Sequence, residues 1–468
     1  MLLPVAMLTR RQFASLFPAP LLAQQRRRPN LVVILSDDHH WQALGAAGNP
    51  NIRTPNLDKL AARGVRFSNA IISSSQCAPS RGILLSGQES YQTGLDSNAN
   101  EAYRTFSGAT VVEQLRRAGY QTNLVGKWHI QNTPKQCGFT NGPVWLSVAA
   151  TPYPDPELRH GLDATTNTKT PGLTTDIFTR EAVQVIEKAQ QPYLLWLAYN
   201  APHTPWTASE AFRKLYEGRN AQLAPPQHPK PTPRAPGAAA PAPKMKKKGG
   251  GPGGNRPDGM FDWETYYAVI SEMDAGIGRV IDAVDRSGQW ENTLILFLGD
   301  NGYLCGSKGL QGKVFAWEES IRVPFLAAGA GVKSGVVSDA LVASVDVPAT
   351  LLDAAGVKPG HKLAGTSIRL VLSGGRFSRD AAFSNWNDSR PEALYAGYGV
   401  EAYRVARTTE WKYILWESKK QALYQLKADP FEEKDLAEDP AHAADLKRMQ
   451  ARLRARMKET ADPASAWL

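Results

Sequence analysis

Four groups of ionisable or ligating residues each follow a short apolar run. Asp37-Asp38 follows Leu31–Ser36, Lys127-Trp128-His129 follows Thr122–Val125, Pro202-His203 follows Tyr193–Ala198, and Asp300-Asn301 follows Leu294–Leu298. Singly, each has an ordinary reading: a helix cap or turn for Asp37-Asp38, a tight turn for Asp300-Asn301-Gly302, a loop histidine for His203, a solvated lysine for Lys127. Together they bring carboxylates, an amide, an ammonium and imidazoles to the ends of four elements. Asp37, Asp38, Asp300 and Asn301 all offer oxygen, a donor set that suits calcium or magnesium better than zinc. Cys77 lies in a polar, turn-like stretch, Ser73-Ser74-Ser75-Gln76-Cys77-Ala78-Pro79-Ser80-Arg81, where the nearby cation Arg81 suits a reactive sulfur position.

These residues must be positioned by the elements they follow. The four runs, with Phe325–Ala328, have the length and flanking polar or Gly residues of buried strands. Helical patterns alternate with them. One opens at Thr54-Pro55 and closes at Gly64; others run over Thr110–Ala118, Thr174–Ala189, Asp262–Asp285 and Val347–Ala355. Alternating strands and helices predict an α/β fold with a mostly parallel central sheet covered by helices on both faces. In such sheets ligands bind beyond the carboxyl ends of the strands, where all four groups fall. From about residue 380 the texture changes to antiparallel strands, Tyr403–Arg407, Trp411–Trp416 and Ala422–Leu426, then helical Ala441–Thr460. The expected layout is a catalytic domain over 29–375 and a smaller C-terminal α+β subdomain over 380–468. Residues 224–259, rich in Pro, Ala, Gly and Lys, cannot bury a core and read as a surface insertion.

At 468 residues, 42% of them hydrophobic, the chain can bury a sizeable core, which excludes a disulfide miniprotein, a collagen or a disordered chain. No apolar run is long enough for a transmembrane helix, so no stable membrane anchor is expected. The net charge of +10 suggests a polyanion binder. Most of it is local, however. Arg10 and Arg11 stand without an acid in residues 1–23, and Lys230, Arg234, Lys244, Lys246, Lys247, Lys248 and Arg256 face only Asp258 in 224–259. The remaining body is near neutral, and nucleic-acid binding has little support. Thr9-Arg10-Arg11-Gln12-Phe13, with the apolar stretch ending at Leu22-Ala23, reads as a twin-arginine-like export signal over 1–23, for the bacterial periplasm or the exterior. The odd count of three cysteines leaves one unpaired; a bridge between Cys137 and Cys305 stays open.

Longer motifs carry a resemblance. Cys77-Ala78-Pro79-Ser80-Arg81, followed by Leu84-Leu85-Ser86-Gly87, resembles the signature of the formylglycine-dependent (type I) sulfatases of the alkaline phosphatase-like superfamily. Gly119-Tyr120-Gln121-Thr122, running on to Val125-Gly126-Lys127-Trp128-His129, is similar to that family's second signature. Pro29-Asn30 with Asp37-Asp38, then Gly299-Asp300-Asn301-Gly302 with Lys313 and Glu318–Pro324, resemble its metal and lysine segments. Leu423–Leu426 and Asp429-Pro430 are similar to its common C-terminal stretch.

The resemblance implies roles. Cys77 would be converted by a formylglycine-generating enzyme to formylglycine, whose hydrate is the nucleophile. Asp37, Asp38, Asp300 and Asn301 would hold one Ca2+, with the residue-77 diol completing the site. Arg81 would orient the diol, Lys127, His203 and Lys313 would bind sulfate oxygens, and His129 would assist at the diol. His203 is the candidate general acid, with Lys313 as a substitute. The implied substrate is a sulfated glycan or small molecule. Two positions depart from the pattern: Gln76, where small or apolar residues are usual, and Lys308, where many relatives carry histidine. The alternatives are a phosphonate or phosphate monoester hydrolase of the same superfold and a non-catalytic binder of sulfated glycans. A dedicated two-metal phosphatase would more often add a second His/Asp ligand set, and none is legible in the sequence.

Overall fold

The computed structural model describes residues 28–95, 97–98, 110–190, 192–226, 228–229, 260–387 and 400–468. The expected export signal lies outside the described residues, as do Gln227 and 230–259 of the expected insertion.

In chain order the strands of the main body are β1 (Asn30–Ser36), β2 (Gly64–Ile71), β3 (Gln121–Lys127), β4 (Asn141–Leu146), β5 (Glu157–His160), β6 (Thr168–Lys169), β7 (Tyr193–Ala198), β8 (Thr293–Gly299), β9 (Leu304–Cys305), β10 (Gln311–Gly312), β11 (Phe325–Gly329) and β12 (Val336–Ala343). All but the small hairpin β9–β10 join one ten-stranded sheet, ordered β12-β2-β11-β8-β1-β7-β3-β4-β5-β6. Its centre, from β8 through β1, β7 and β3 to β4, is parallel, while β11 runs antiparallel to both β8 and β2.

The central strands are apolar nearly throughout because both faces are covered. The two-residue period divides them cleanly. Leu31, Val33, Leu35, Trp196 and Leu296 join one core with the helices Cys77–Ser86, Val111–Arg117 and Asp346–Ala354. Val32, Ile34, Leu195, Leu197, Ile295 and Phe297 join the other with Pro55–Ala62, Thr174–Lys188 and Trp263–Arg286.

Strands β2, β4, β5, β6 and β12, the hairpin β9–β10 and the helix Cys77–Ser86 were not expected from the sequence. In β2, Arg66, Ser68 and Asn69 interrupt the apolar pattern. Gly64, expected to close a helix, instead opens β2, where a Cβ would stand 1.9 Å from the Ala327 carbonyl oxygen. Cys77, expected in a turn, is the first residue of a ten-residue helix.

The second sheet is antiparallel: β13 (Ala382–Trp386), β14 (Tyr403–Arg407), β15 (Trp411–Trp416) and β16 (Gln421–Gln425), in that order. On one face Met449, Leu453 and Met457 of the helix Ala443–Thr460, four residues apart, cover Ala406, Tyr413, Leu415 and Leu423. On the other, Tyr403, Val405, Ile414 and Tyr424 join the core of the main body. Cys77, Cys137 and Cys305 are all free, so the bridge left open between Cys137 and Cys305 does not form. No described helix is long and apolar enough to cross a membrane.

Candidate active site

The strand ends are tied together by their own backbone. Asp300 N–H donates to Ser36 O (2.8 Å), Asp37 N–H to Ala201 O (2.9 Å) and His39 N–H to Asn301 O (3.0 Å). The segments after β1, β7 and β8 therefore form one rim. Gly126 permits the approach of β3: its φ is +99°, and a Cβ there would lie 2.0 Å from the Ala198 carbonyl oxygen. Lys127 follows directly, buried at the end of β3. Asp38 and His129 hold left-handed backbone conformations (φ 64° and 58°), strained for non-glycine residues, as is common at functional sites.

All the residues expected at the site meet here. Cys77 Sγ donates to Asp37 Oδ1 (3.2 Å) and receives hydrogen bonds from Lys313 Nζ (2.7 Å) and Lys127 Nζ (3.7 Å). Lys127 Nζ also pairs with Asp37 Oδ2, and Lys313 Nζ with Asp38 Oδ1 (2.6 Å). Arg81 donates through Nε and Nη2 to Asp300 Oδ2 (3.0 and 2.7 Å) and through Nη1 to Lys127 O (2.7 Å). Its place is set by the helix Cys77–Ser86, which puts Arg81 one turn beyond Cys77 on the same face. Asn301 Nδ2 donates to Asp38 Oδ1 (2.6 Å). His203 Nδ1–H donates to Thr204 O (2.6 Å), which leaves Nε2 facing Asp38 Oδ2 at 3.7 Å.

Three carboxylates, Asp37, Asp38 and Asp300, thus face three cations, Arg81, Lys127 and Lys313, almost without water. Burial raises the Asp37 carboxyl, but Lys127, then His203, Lys313 and Arg81, hold it well below the usual carboxylate range. Asp300 goes the other way: burial and the neighbouring Asp37 charge push it up to about 7 despite Arg81. Burial, reinforced by Asp37, raises the Cys77 thiol, so an unmodified Cys77 is a protonated, weak nucleophile. Burial drives His129 well below its ordinary value, with Lys127 and Arg81 acting the same way.

The oxygens of Asp37, Asp38, Asp300 and Asn301 suit a hard cation, while the Cys77 sulfur and the His203 nitrogen beside them do not. Asp37, Asp38, Cys77 and His203 each offer a ligand atom within 4.8 Å of the others. Asp300 Oδ1 and Asn301 Oδ1 are buried with no hydrogen-bond partner among the described residues, as oxygens reserved for an ion would be.

Both departures from the expected pattern have physical accounts. Gln76 Oε1 accepts from Asn98 N–H (3.0 Å) and Trp386 Nε1–H (3.3 Å), while Asn98 Oδ1 accepts from Ala78 N–H (3.1 Å). Gln76 and Asn98 therefore fasten the start of the Cys77 helix. No sequence signal marks Asn98 or Trp386, because they reach the helix only through the fold. Lys308 Nζ donates to Glu432 O (2.7 Å) and lies over the Trp317 ring, so it is spent on the second sheet's region rather than on the Cys77 cluster.

This fold and site define a hydrolase of anionic esters, with cations and carboxylates around one buried residue 77. The sulfatase family model matches residues 29–357, and that of the N-sulphoglucosamine sulphohydrolase C-terminal region matches 306–460. The chain belongs to the sulfatase family, with the alkaline phosphatase-like fold, and is a sulfuric ester hydrolase. It is 26% identical to an N-acetylglucosamine-6-O-sulfatase of Bacteroides thetaiotaomicron, over 94% of this chain and 88% of that one. It is 28% identical to a choline-sulfatase of Rhizobium meliloti, over 89% of this chain and 84% of the other. A solved structure of a protein in complex with its substrate D-glucosamine-2-N,6-O-disulfate shares the fold with a TM-score of 0.80 at 24% identity. It covers 93% of this chain and 99% of its own.

Proposed function

We propose that this sulfatase cleaves sulfate monoesters of carbohydrates, with residue 77 acting as formylglycine and one calcium ion held by Asp37, Asp38, Asp300 and Asn301. The observation that carries the reading is Cys77 at a helix start, its sulfur within 2.7–3.7 Å of Lys313, Asp37 and Lys127. The sulfur stands where the oxygens of a converted residue would be. The carbohydrate preference is drawn from the glucosamine-type relatives.

A formylglycine hydrate would supply two hydroxyls, one to attack sulfur and a second whose deprotonation expels sulfate and restores the aldehyde. Calcium would add positive charge against the ester oxygens and acidify a coordinated hydroxyl. The remaining work falls to the chain's own side chains. Lys127 and Lys313 bind sulfate oxygens that gain charge in the transition state. Arg81, locked on Asp300, orients residue 77. His203, whose Nδ1–H is held by Thr204 O, must take up a second proton on Nε2 before it can serve the leaving oxygen as general acid, with Lys313 as a substitute, and His129 takes the proton from the second hydroxyl. Three carboxylates balanced by three cations become a net positive site once a divalent ion is present, which favours a sulfate monoanion. Export through the twin-arginine machinery, on the Arg10-Arg11 motif, belongs to the same proposal.

The test is the mass of the Cys77 peptide from protein co-produced with a formylglycine-generating enzyme, paired with sulfate release from N-acetylglucosamine 6-sulfate. An aldehyde at residue 77 together with calcium-dependent release is expected. An intact thiol, with the maturing enzyme active on a control peptide, sinks the nucleophile assignment. A converted residue that releases sulfate from aryl sulfates alone sinks the carbohydrate reading.

A further inference from the structure

A second convergence of ligating groups lies apart from the Cys77 cluster. His40 Nε2, His228 Nε2 and Glu319 Oε1 fall within 4.8 Å of one another. Glu319 Oε1 is 3.6 Å from His40 Nε2 and 3.2 Å from His228 Nε2, and the three side chains are at most 3% exposed. None of the three atoms makes a well-formed hydrogen bond. Three buried polar atoms that meet one another only through long, poorly aligned contacts converge on one point, where a common partner would satisfy them better.

Their chemistry differs from that of the oxygen set around Asp37. Two imidazoles and a carboxylate form a borderline donor set, suited to zinc or a similar divalent transition ion. Bonds of about 2.0–2.1 Å in a tetrahedron space the ligand atoms roughly 3.3 Å apart. The two separations from Glu319 bracket that value. The surroundings support the ligands as well. His228 Nδ1–H donates to Pro229 O (3.0 Å), which fixes the tautomer that leaves the Nε2 lone pair on the cluster. Glu319 Oε2 accepts from Ser307 Oγ, so the carboxylate is held from behind. Trp263 and Phe431 pack on the His228 ring, and Trp41 on His40.

One contact decides how the ligands rank. Gln42 N–H donates to His40 Nδ1 (3.1 Å), which selects the Nε2–H tautomer for the metal-free protein. His228 and Glu319 are therefore the primary pair. His40 joins them by carrying its proton on Nδ1 instead and giving up the Gln42 hydrogen bond.

We propose that His228, Glu319 and His40 form a binding site for a zinc-class divalent ion. The ion fastens His228, the last residue but one before 230–259, to the segment after β1 and to the helix Glu318–Ile321. This inference does not depend on the reading of residue 77.

The experiment uses the full chain with calcium present, equilibrated with zinc or with cobalt(II) and then freed of excess ion. The readouts are bound metal per chain and the visible spectrum of the cobalt form. We expect one zinc per chain beyond calcium, and cobalt ligand-field bands of a low-coordinate N/O site. His228→Ala should lose both, with binding weakened more than ~100-fold, since even loss of a group supporting a ligand costs ~10–100-fold. Glu319→Gln serves the same purpose if His228→Ala does not fold, and Asp300→Ala should keep the zinc. No zinc in the parent protein, or zinc retained in His228→Ala and lost in Asp300→Ala, overturns the site. The three side chains are then a hydrogen-bonded ion pair in which Glu319 accepts from two histidines.

Discussion

At the scale of single residues, the site is a set of opposed charges whose burial makes each substitution costly in a different way. Cys77→Ala removes the proposed nucleophile without touching the Arg81–Asp300 lock, so the protein should fold and turnover should fall by ~10^3-fold or more, read as sulfate release. Activity at the parent level would falsify the assignment. His203→Ala should cost ~10^2–10^4-fold on alkyl sulfates and far less on aryl sulfates, whose leaving groups need no proton. An equal loss on both substrates would make His203 a binding residue instead. Most of these side chains were legible because each follows a strand whose apolar run announces it. Asn98 and Trp386 were not, since nothing near them in the chain hints at Gln76 or Ala78. His228 was hidden for a different reason: it stands in a Pro-rich stretch, 224–229, whose composition reads as surface although its ring is buried.

At the scale of elements, the strands that hold the site were readable wherever burial on both faces made them continuously apolar, as in β1, β7 and β8. β2 escaped notice because polar residues break its run, and β12 because its first half is exposed on alternate residues. The Cys77 helix escaped notice because its opening residues are small or polar and its partners are distant. One helix is capped by another rather than by itself. Asp274, within Trp263–Arg286, accepts from Asn56 N–H (3.1 Å), Asn56 Nδ2 (2.8 Å) and Leu57 N–H (2.7 Å), serving the open N–H groups of Pro55–Ala62, whose own Thr54 makes no capping bond. Asp274→Ala should destabilise the protein by ~1–3 kcal/mol in urea unfolding. Burial outweighs those hydrogen bonds and pushes the Asp274 carboxyl up to about 6. An acid whose native pKa is raised binds protons more tightly folded than unfolded, so stability should fall as pH rises from about 4 to about 6, by on the order of 2 kcal/mol from this group. Comparing Asp274→Asn with the parent over that range isolates the contribution; identical slopes would show that the carboxyl is not perturbed.

At the scale of the whole molecule, the second sheet does more than cap the main body. Lys412 of β15, fully buried, pairs with Glu432 Oε1 (2.6 Å) and Glu318 Oε1 (3.5 Å), and Arg407 of β14 reaches Glu318 Oε2 (3.1 Å). Glu432 in turn accepts from Glu318 N–H through Oε2 (2.6 Å) and from Lys308 Nζ through its carbonyl (2.7 Å). Lys308 and Glu318 bracket Lys313, so the segment that delivers an ammonium to Cys77 is pinned at both ends by the second sheet and the residues after it. Val314 N–H to Ser75 O (3.0 Å) and Tyr403 Oη to Phe315 O (3.0 Å) pin its middle. Sequence showed the two parts but not this bond between them, because charged residues that pair only across the fold read as surface in a linear pattern. Lys412→Met leaves Glu432 buried without its cation and Glu318 with Arg407 and the more distant Arg322, a loss of ~3–5 kcal/mol by the usual cost of orphaning one partner of a buried ion pair. If the ion pairs also hold Lys313 on the site, the variant should raise KM for the sulfate ester several-fold at a temperature where it is fully folded. A lowered melting temperature with unchanged KM would mean that the Ser75 and Tyr403 contacts suffice to hold Lys313.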